Sequence, residues 1–297
     1  MFTRRMALAA AAALVAQLTP ALAQNKLKAV ATFSILADFV KNVGGDRVDV
    51  QALVGPNGDA HVYQPTPGDA KTLADAKVVF VNGLGFEGWI ERLIKASGTK
   101  ATIVTATKGV KPRKSDDEHS HGGADPHAWQ SATNAKIYVA NIRDGLSAAD
   151  PAGKSTYEAN ATSYIAKLDA LDTEVKAAID KIPADRRKII TTHDAFGYFA
   201  VAYGVTFIAP QGVSTESEVS AKDVAKIISQ IRKQKIPAVF LENVTDDRLL
   251  KRIGAESGAR IGGTLYSDAL TDANGPAPTF LDMMRHNVKQ LSTALMS

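Results

Sequence analysis

His61, His127, His193 and Asp268 offer three imidazole nitrogens and one carboxylate oxygen, the donor set of a transition-metal site. They stand in the strings AHVYQP, DPHAWQ, TTHDAF and YSDAL, far apart in the chain and joined by no short ligand pattern. Their common feature is position, because each follows a short apolar run directly or lies in the loop after one. Loops at the carboxyl edges of parallel sheets converge, so this placement brings four distant side chains to one point. A lone histidine is more often a hydrogen-bonded loop or core residue than a ligand. The metal reading therefore rests on the agreement of four contexts.

The elements that must position these residues are legible as apolar runs. The first half has them at 27–32, 48–53, 78–82 and 101–106, and the second half repeats the theme at 188–192, 206–210, 238–243 and 260–265. Strands that are apolar throughout and separated by helix-length segments indicate parallel sheets covered on both faces. The expected fold class is α/β, with two lobes over 24–150 and 186–297, each a four-stranded, mostly parallel sheet flanked by helices. Thr66-Pro67-Gly68-Asp69 and Ser220-Ala221-Lys222-Asp223 read as helix starts, with a capping hydroxyl and an acidic residue three positions later.

Between the lobes Tyr157, Ala161, Tyr164, Ile165, Leu168, Leu171, Val175, Ala178 and Ile182 recur at three- and four-residue steps. No Pro or Gly interrupts them, which predicts one linking helix from about Gly153 to Ile182 within 151–185, ~45 Å long at 1.5 Å per residue. A single continuous helix resists the wide hinge bending that flexible crossover strands permit.

The chain opens with Arg4 and Arg5, an apolar stretch from Met6 to about Leu18 and a small-residue exit at Ala21-Leu22-Ala23. This predicts a secretory signal over residues 1–23 and a periplasmic location; Thr3-Arg4-Arg5 faintly resembles a twin-arginine signal and leaves the export route open. Cysteine is absent, which removes disulfides, thiolate ligands and a lipid-bearing cysteine. Loss of Arg4 and Arg5 with the signal lowers the formal charge from +4 to +2, so nothing points to nucleic acid or a membrane surface. Lys111 to Gly123 is polar and ends in glycine, and reads as a solvated loop whose His119 and His121 capture metal at most transiently.

The order HVYQPTP, DPHAW, long helix, THDAFGYF, LYSDAL and a closing MMRHN resembles the periplasmic zinc- and manganese-binding proteins of ABC importers, over essentially the whole mature chain. The resemblance implies two α/β lobes joined by one long helix. It assigns His61 and His127 as ligands from the first lobe and His193 and Asp268 as ligands from the second. It also implies a transported ion rather than a catalytic one, a membrane permease driven by a cytoplasmic ATPase as partner, and a monomer; a periplasmic metallochaperone is left open. Three imidazoles and one carboxylate lean towards Zn2+, with Mn2+ as the alternative, because carboxylate-richer sites suit manganese better.

Each residue also has an ordinary scaffold reading: His61 as a cap near Pro67, His127 as a loop residue after Pro126, Asp268 as a turn or cap, Asp194 likewise. His286 on the closing helix reads as scaffold or surface. Trp129, Tyr63 and Phe196 flank the ligands, and core packing is their preferred role. A zinc hydrolase would need a general base, for which Glu216, Glu218 and Glu242 are the nearest candidates, and no His-Glu-x-x-His motif is present. An adhesin or metal buffer is the third reading, disfavoured by the missing anchor. Release of the ion is expected to fall on three histidines with pKa near ~6.5 and on the loops carrying His127 and Asp268.

Overall fold

A computed structural model of the chain describes residues 26–114, 123–216 and 219–296. The expected signal, His119, His121 and Glu218 lie outside the described residues.

All eight apolar runs are strands. In the first lobe β1 (Leu27–Phe33), β2 (Val48–Val54), β3 (Val78–Val81) and β4 (Thr102–Thr105) form a parallel sheet of order β2-β1-β3-β4. In the second, β5 (Lys188–Ile190), β6 (Thr206–Ile208), β7 (Ala238–Glu242) and β8 (Arg260–Leu265) repeat it as β6-β5-β7-β8. Burial follows place in the sheet: every residue of central β3 is buried, whereas edge strand β4 is largely exposed. Strand order reverses between β1 and β3 and between β5 and β7, which opens a crevice at the carboxyl ends of each sheet. His61, His127, His193 and Asp268 follow β2, β4, β5 and β8 respectively, on that side.

Around the sheets lie α1 (Ser34–Gly44), α2 (Pro67–Asp75), α3 (Ile90–Ser97) and α4 (Ala132–Ala149), then α6 (Gly197–Tyr203), α7 (Ala221–Gln234), α8 (Arg248–Ser257) and α9 (Phe280–Met296). Both predicted caps form. Thr66 accepts from the Asp69 amide while the Asp69 carboxylate accepts from the Thr66 amide, and the Ser220 side chain accepts from the Asp223 amide.

The linking helix is α5 (Lys154–Ile179), 26 residues long and shorter at both ends than the periodicity predicts. At its start Gly153 belongs to a separate 3-10 turn, Pro151–Gly153. At its end Lys181 and Ile182 turn back onto the carbonyls of Ala178 and Ile179, and Pro183, which lacks an amide hydrogen, stops the helix. Tyr157, Ala161, Tyr164, Leu168, Leu171, Val175 and Ile179 form its buried face, packed on α1 and α4 of the first lobe and on α9. The main core runs unbroken from the first sheet through α5 and α9 to Phe240 and Leu265 of the second; a smaller cluster lies under α7 and α8.

Candidate metal centre

The loop after β2 carries His61, whose amide donates to Asp59 Oδ1 at 2.9 Å. The loop after β4 carries His127, which precedes a 3-10 turn at Ala128–Gln130. The segment after β5 carries His193, tied to Gln211 by a parallel bridge, and Asp268 follows β8. Four chemically suitable atoms, one from each residue, lie within 4.8 Å of one another. His61 Nε2 is 3.3 Å from His127 Nε2 and 3.2 Å from Asp268 Oδ2, and His193 Nε2 is 3.1 Å from Asp268 Oδ2. Donors at zinc-ligand distance in a tetrahedron stand about 3.3 Å apart, so these separations suit one ion. The three rings are tilted or edge-on to one another rather than stacked.

A carboxylate stands behind each of the two fully buried imidazoles. Asp125 Oδ1 lies 2.9 Å from His127 Nδ1 and accepts from the His127 amide at the same distance, while its Oδ2 accepts from Arg113 at 3.1 Å. Glu242 Oε1 accepts from the amides of Thr192 and His193 at 2.7 and 2.9 Å, and its Oε2 lies 2.6 Å from His193 Nδ1. The Asp125 contact is a hydrogen bond and the Glu242 contact a close ion-pair approach, and each sets a carboxylate against Nδ1 and leaves Nε2 on the side of the centre. All four acidic and imidazole groups of these two pairs are inaccessible to solvent.

The electrostatics of the centre depart from the expectation of three ordinary histidines. Burial lowers the pKa of His61, with Asp268 opposing. Burial also works against charge on His127, but Asp268 and Asp125 outweigh it and lift the pKa to about 9. The same contest at His193 is won by Glu242 and Asp268, so that its pKa stands well above the usual value. Asp268 is held well below the carboxylate range because His193 and His127 overcome its burial. The physical reason is that two imidazoles sit between buried carboxylates, of which Asp125 stands in the same local string as its histidine while Glu242 and Asp268 come from distant loops.

Aromatic rings close the site on the first-lobe side. Phe86 packs edge-on against His61 at 4.7 Å and against Trp129 at 4.9 Å, and Trp129 lies 5.3 Å from His127. The loop that delivers Phe86 takes three consecutive left-handed residues, Gly83, Leu84 and Gly85, with φ of 86°, 56° and 80°. Of the three aromatics expected beside the ligands, Trp129 touches one. Tyr63 instead bonds Asp69 and packs on Trp89, and Phe196 stacks on Phe207 at 4.8 Å, in agreement with their packing role. His286 faces the Thr264 carbonyl and the Tyr266 ring, as a scaffold residue. Asp194 donates its amide to Gly212 O and its carboxyl pKa is raised by burial. Glu216 is exposed, and Glu242 braces His193 rather than facing a reactive centre.

Sequence reasoning missed Asp125 and Phe86 and named Glu242 only as a candidate base of the disfavoured hydrolase. Asp125 had a local signal, an acidic residue two positions before the histidine in DPHAW. Phe86 had only the glycines of NGLGFEGW around it.

The family model described as zinc-uptake complex component A, periplasmic, matches residues 29–294. The chain is 36% identical over 282 residues to the iron-binding protein YfeA of Yersinia pestis, covering 92% of this chain and 90% of that one. It is 33% identical over 277 residues to the manganese ABC transporter substrate-binding lipoprotein PsaA of Streptococcus anginosus, covering 91% and 90%. Among solved structures, the periplasmic zinc binding protein TroA of Treponema pallidum superposes with a TM-score of 0.86 at 30% identity, over 91% of this chain and 99% of that one. Those relatives are named for iron, manganese and zinc in turn. With two like-ordered parallel sheets, one long linking helix and a cluster of three histidines and an aspartate between the lobes, the chain belongs to this family of metal-binding, substrate-binding proteins of ABC importers, which are not enzymes.

Proposed function

We propose that the chain captures a zinc ion in the periplasm, after loss of residues 1–23, and delivers it to a membrane permease driven by a cytoplasmic ATPase. His61, His127, His193 and Asp268 are the ligands in this reading, with Asp125 and Glu242 orienting His127 and His193. The observation that carries it is the convergence of three Nε2 atoms and one carboxylate oxygen at tetrahedral-edge spacing. An N3O set with imidazoles in the majority suits zinc, and the zinc-named TroA is one of the similar structures. The protein acts as a monomer, and a metallochaperone that loads it would approach from the His61 side, where Val62 and residues 64–68 are exposed.

Manganese is the second reading, favoured by one specific feature. Glu242 adds a buried carboxylate whose Oε2 faces only His193, so the centre is richer in negative charge than its ligand list suggests. Competition titration at equal free zinc and manganese separates the two. Zinc preference supports the assignment, and stronger retention of manganese overturns it.

A further inference from the structure

Asp268 belongs to the second lobe by sequence, yet its segment is fastened to the first. The Ser267 carbonyl accepts from Trp129 Nε1 at 2.9 Å and from Gln130 Nε2 at 2.7 Å. Leu270 donates its amide to Ser34 Oγ at 3.0 Å, and its carbonyl accepts from the Asn57 amide at 2.8 Å. Ser267, Asp268, Ala269 and Leu270 are all buried. Against these four bonds, and apart from the His193 Nε2–Asp268 Oδ2 contact inside the cluster, the body of the second lobe offers this segment one among the described residues, Asn243 Nδ2 to the Ala269 carbonyl at 3.2 Å. The α9 helix that follows is also tied to the first lobe: the Phe280 amide donates to Asp38 Oδ2 at 3.0 Å, and the Phe280 ring lies 4.7 Å from Phe39.

His193 is held by its own lobe, and the neighbouring 211–216 segment is tied to the first lobe through Thr215 Oγ1, which donates to Asp59 Oδ2 at 2.6 Å. The amides of His193 and Thr192 donate to Glu242, the Thr191 amide to Ile208, the Asp194 amide to Gly212, and the Gln211 amide to Thr192, all within the second lobe. The α6 helix behind His193 abuts the first lobe at Gly197, which lies against Arg113 and Asp125, and farther on the Tyr198 and Tyr203 hydroxyls accept from the amides of Arg113 and Ala132.

We infer that the cargo site is divided three to one, with His61, His127 and Asp268 forming a rigid half on the first lobe and His193 the ligand that withdraws, and that Ser34 is a positioning residue for Asp268. This rests on the ligand assignment proposed above. It moves the release step away from the loops carrying His127 and Asp268 and onto residues 191–196 and 211–216. Withdrawal of His193 leaves a zinc ion on three protein donors with one position open, the arrangement that accepts an incoming ligand. No bending of α5 is needed.

Hydrogen–deuterium exchange of the intact protein, metal-free and saturated with Zn2+, tests the division. Removing zinc raises exchange at 191–196 and 211–216 at least tenfold while peptides spanning 266–271 change less than twofold. Equal opening of both regions, opening of 266–271 alone, or no change in either while zinc still binds overturns the division without touching the ligand assignment. That assignment fails separately, if His193→Ala and Asp268→Ala both keep wild-type zinc affinity. Zinc release into excess chelator tests Ser34: S34A, which leaves the buried Leu270 amide without its acceptor, releases zinc about tenfold faster, and S34T, which keeps a hydroxyl, returns to within twofold of wild type. An S34A rate equal to wild type, or an S34T rate as fast as S34A, removes Ser34 from the positioning role.

Discussion

Glu242 Oε2 lies 2.6 Å from Nδ1 of His193, and the other oxygen of the same carboxylate holds the His193 amide. One buried side chain thus holds the backbone of a proposed ligand and stands against its ring nitrogen. In Glu242→Gln the carboxamide oxygen still accepts from the amides, which turns its NH2 towards Nδ1. The imidazole then has to accept at Nδ1 and carry its proton on Nε2, the atom that faces the metal. We expect zinc affinity to fall roughly 10- to 100-fold with the fold retained. Calorimetric titration checks this, and an unchanged affinity would show that the brace does not act on the tautomer.

Binding is coupled to proton release. In the metal-free protein His127, with a pKa lifted to about 9, and His193, raised well above the usual value, hold protons at pH 7 that zinc must displace. About two protons leave per ion, and affinity climbs about tenfold per pH unit for each proton displaced as pH rises towards 9. Calorimetry at pH 7 in buffers of different ionisation enthalpy measures the number directly; a heat independent of buffer contradicts it. The same shift acts on stability with the opposite sign. A histidine whose folded pKa is raised stabilises the metal-free fold fully below its unfolded value, near 6.5, and that contribution disappears as pH climbs through about 9. The metal-free melting temperature is therefore expected to drop between pH 7 and pH 9.5, with the zinc-loaded protein showing no such fall.

The four proposed ligands and the polar loop are separable. His193→Ala removes a donor and strands Glu242 without its imidazole, so affinity is expected to fall beyond the roughly 100-fold upper end for an outer brace. Deletion of residues 116–121, which takes out His119 and His121, leaves the tight site intact. Titration of the two variants side by side decides the matter, and the reverse order of effects would reassign the site.

What the sequence made legible was whatever is local. Most strands are short apolar runs, although Asp49 and Gln51 interrupt β2, each cap is written in four residues, and the proposed ligands stand in strings such as DPHAW and TTHDAF. The ends of α5 were overrun because Ile182 continues the spacing although Pro183 has already ended the helix. Glu242 was visible as an acid near the right edge, but its partner is 49 residues away and only the pairing of β5 with β7 brings the two together. The attachment of the Asp268 segment to the first lobe was invisible for the same reason, since Ser34 stands 236 residues before its partner Leu270. Contacts of that range are made by topology, and no window along the chain contains them.

Global dimensions are expected to change little on loading. The α5 helix packs along both lobes and the main core runs through it, so a wide opening would expose buried apolar surface. Solution scattering of metal-free and zinc-loaded protein gives the test. Radii of gyration within about 1 Å fit a local release device, and a larger expansion of the metal-free protein would refute the rigid linker.

The claim on which the rest depends is that one cargo ion sits on His61, His127, His193 and Asp268. Anomalous diffraction at the zinc edge from crystals of the loaded protein addresses it most directly. The account predicts a single strong peak at about 2.0–2.1 Å from the Nε2 atoms of the three histidines and about 2.0–2.2 Å from an Asp268 oxygen. A principal peak on any other residues, or a peak that His193→Ala leaves in place with full occupancy and unchanged distances, would contradict it.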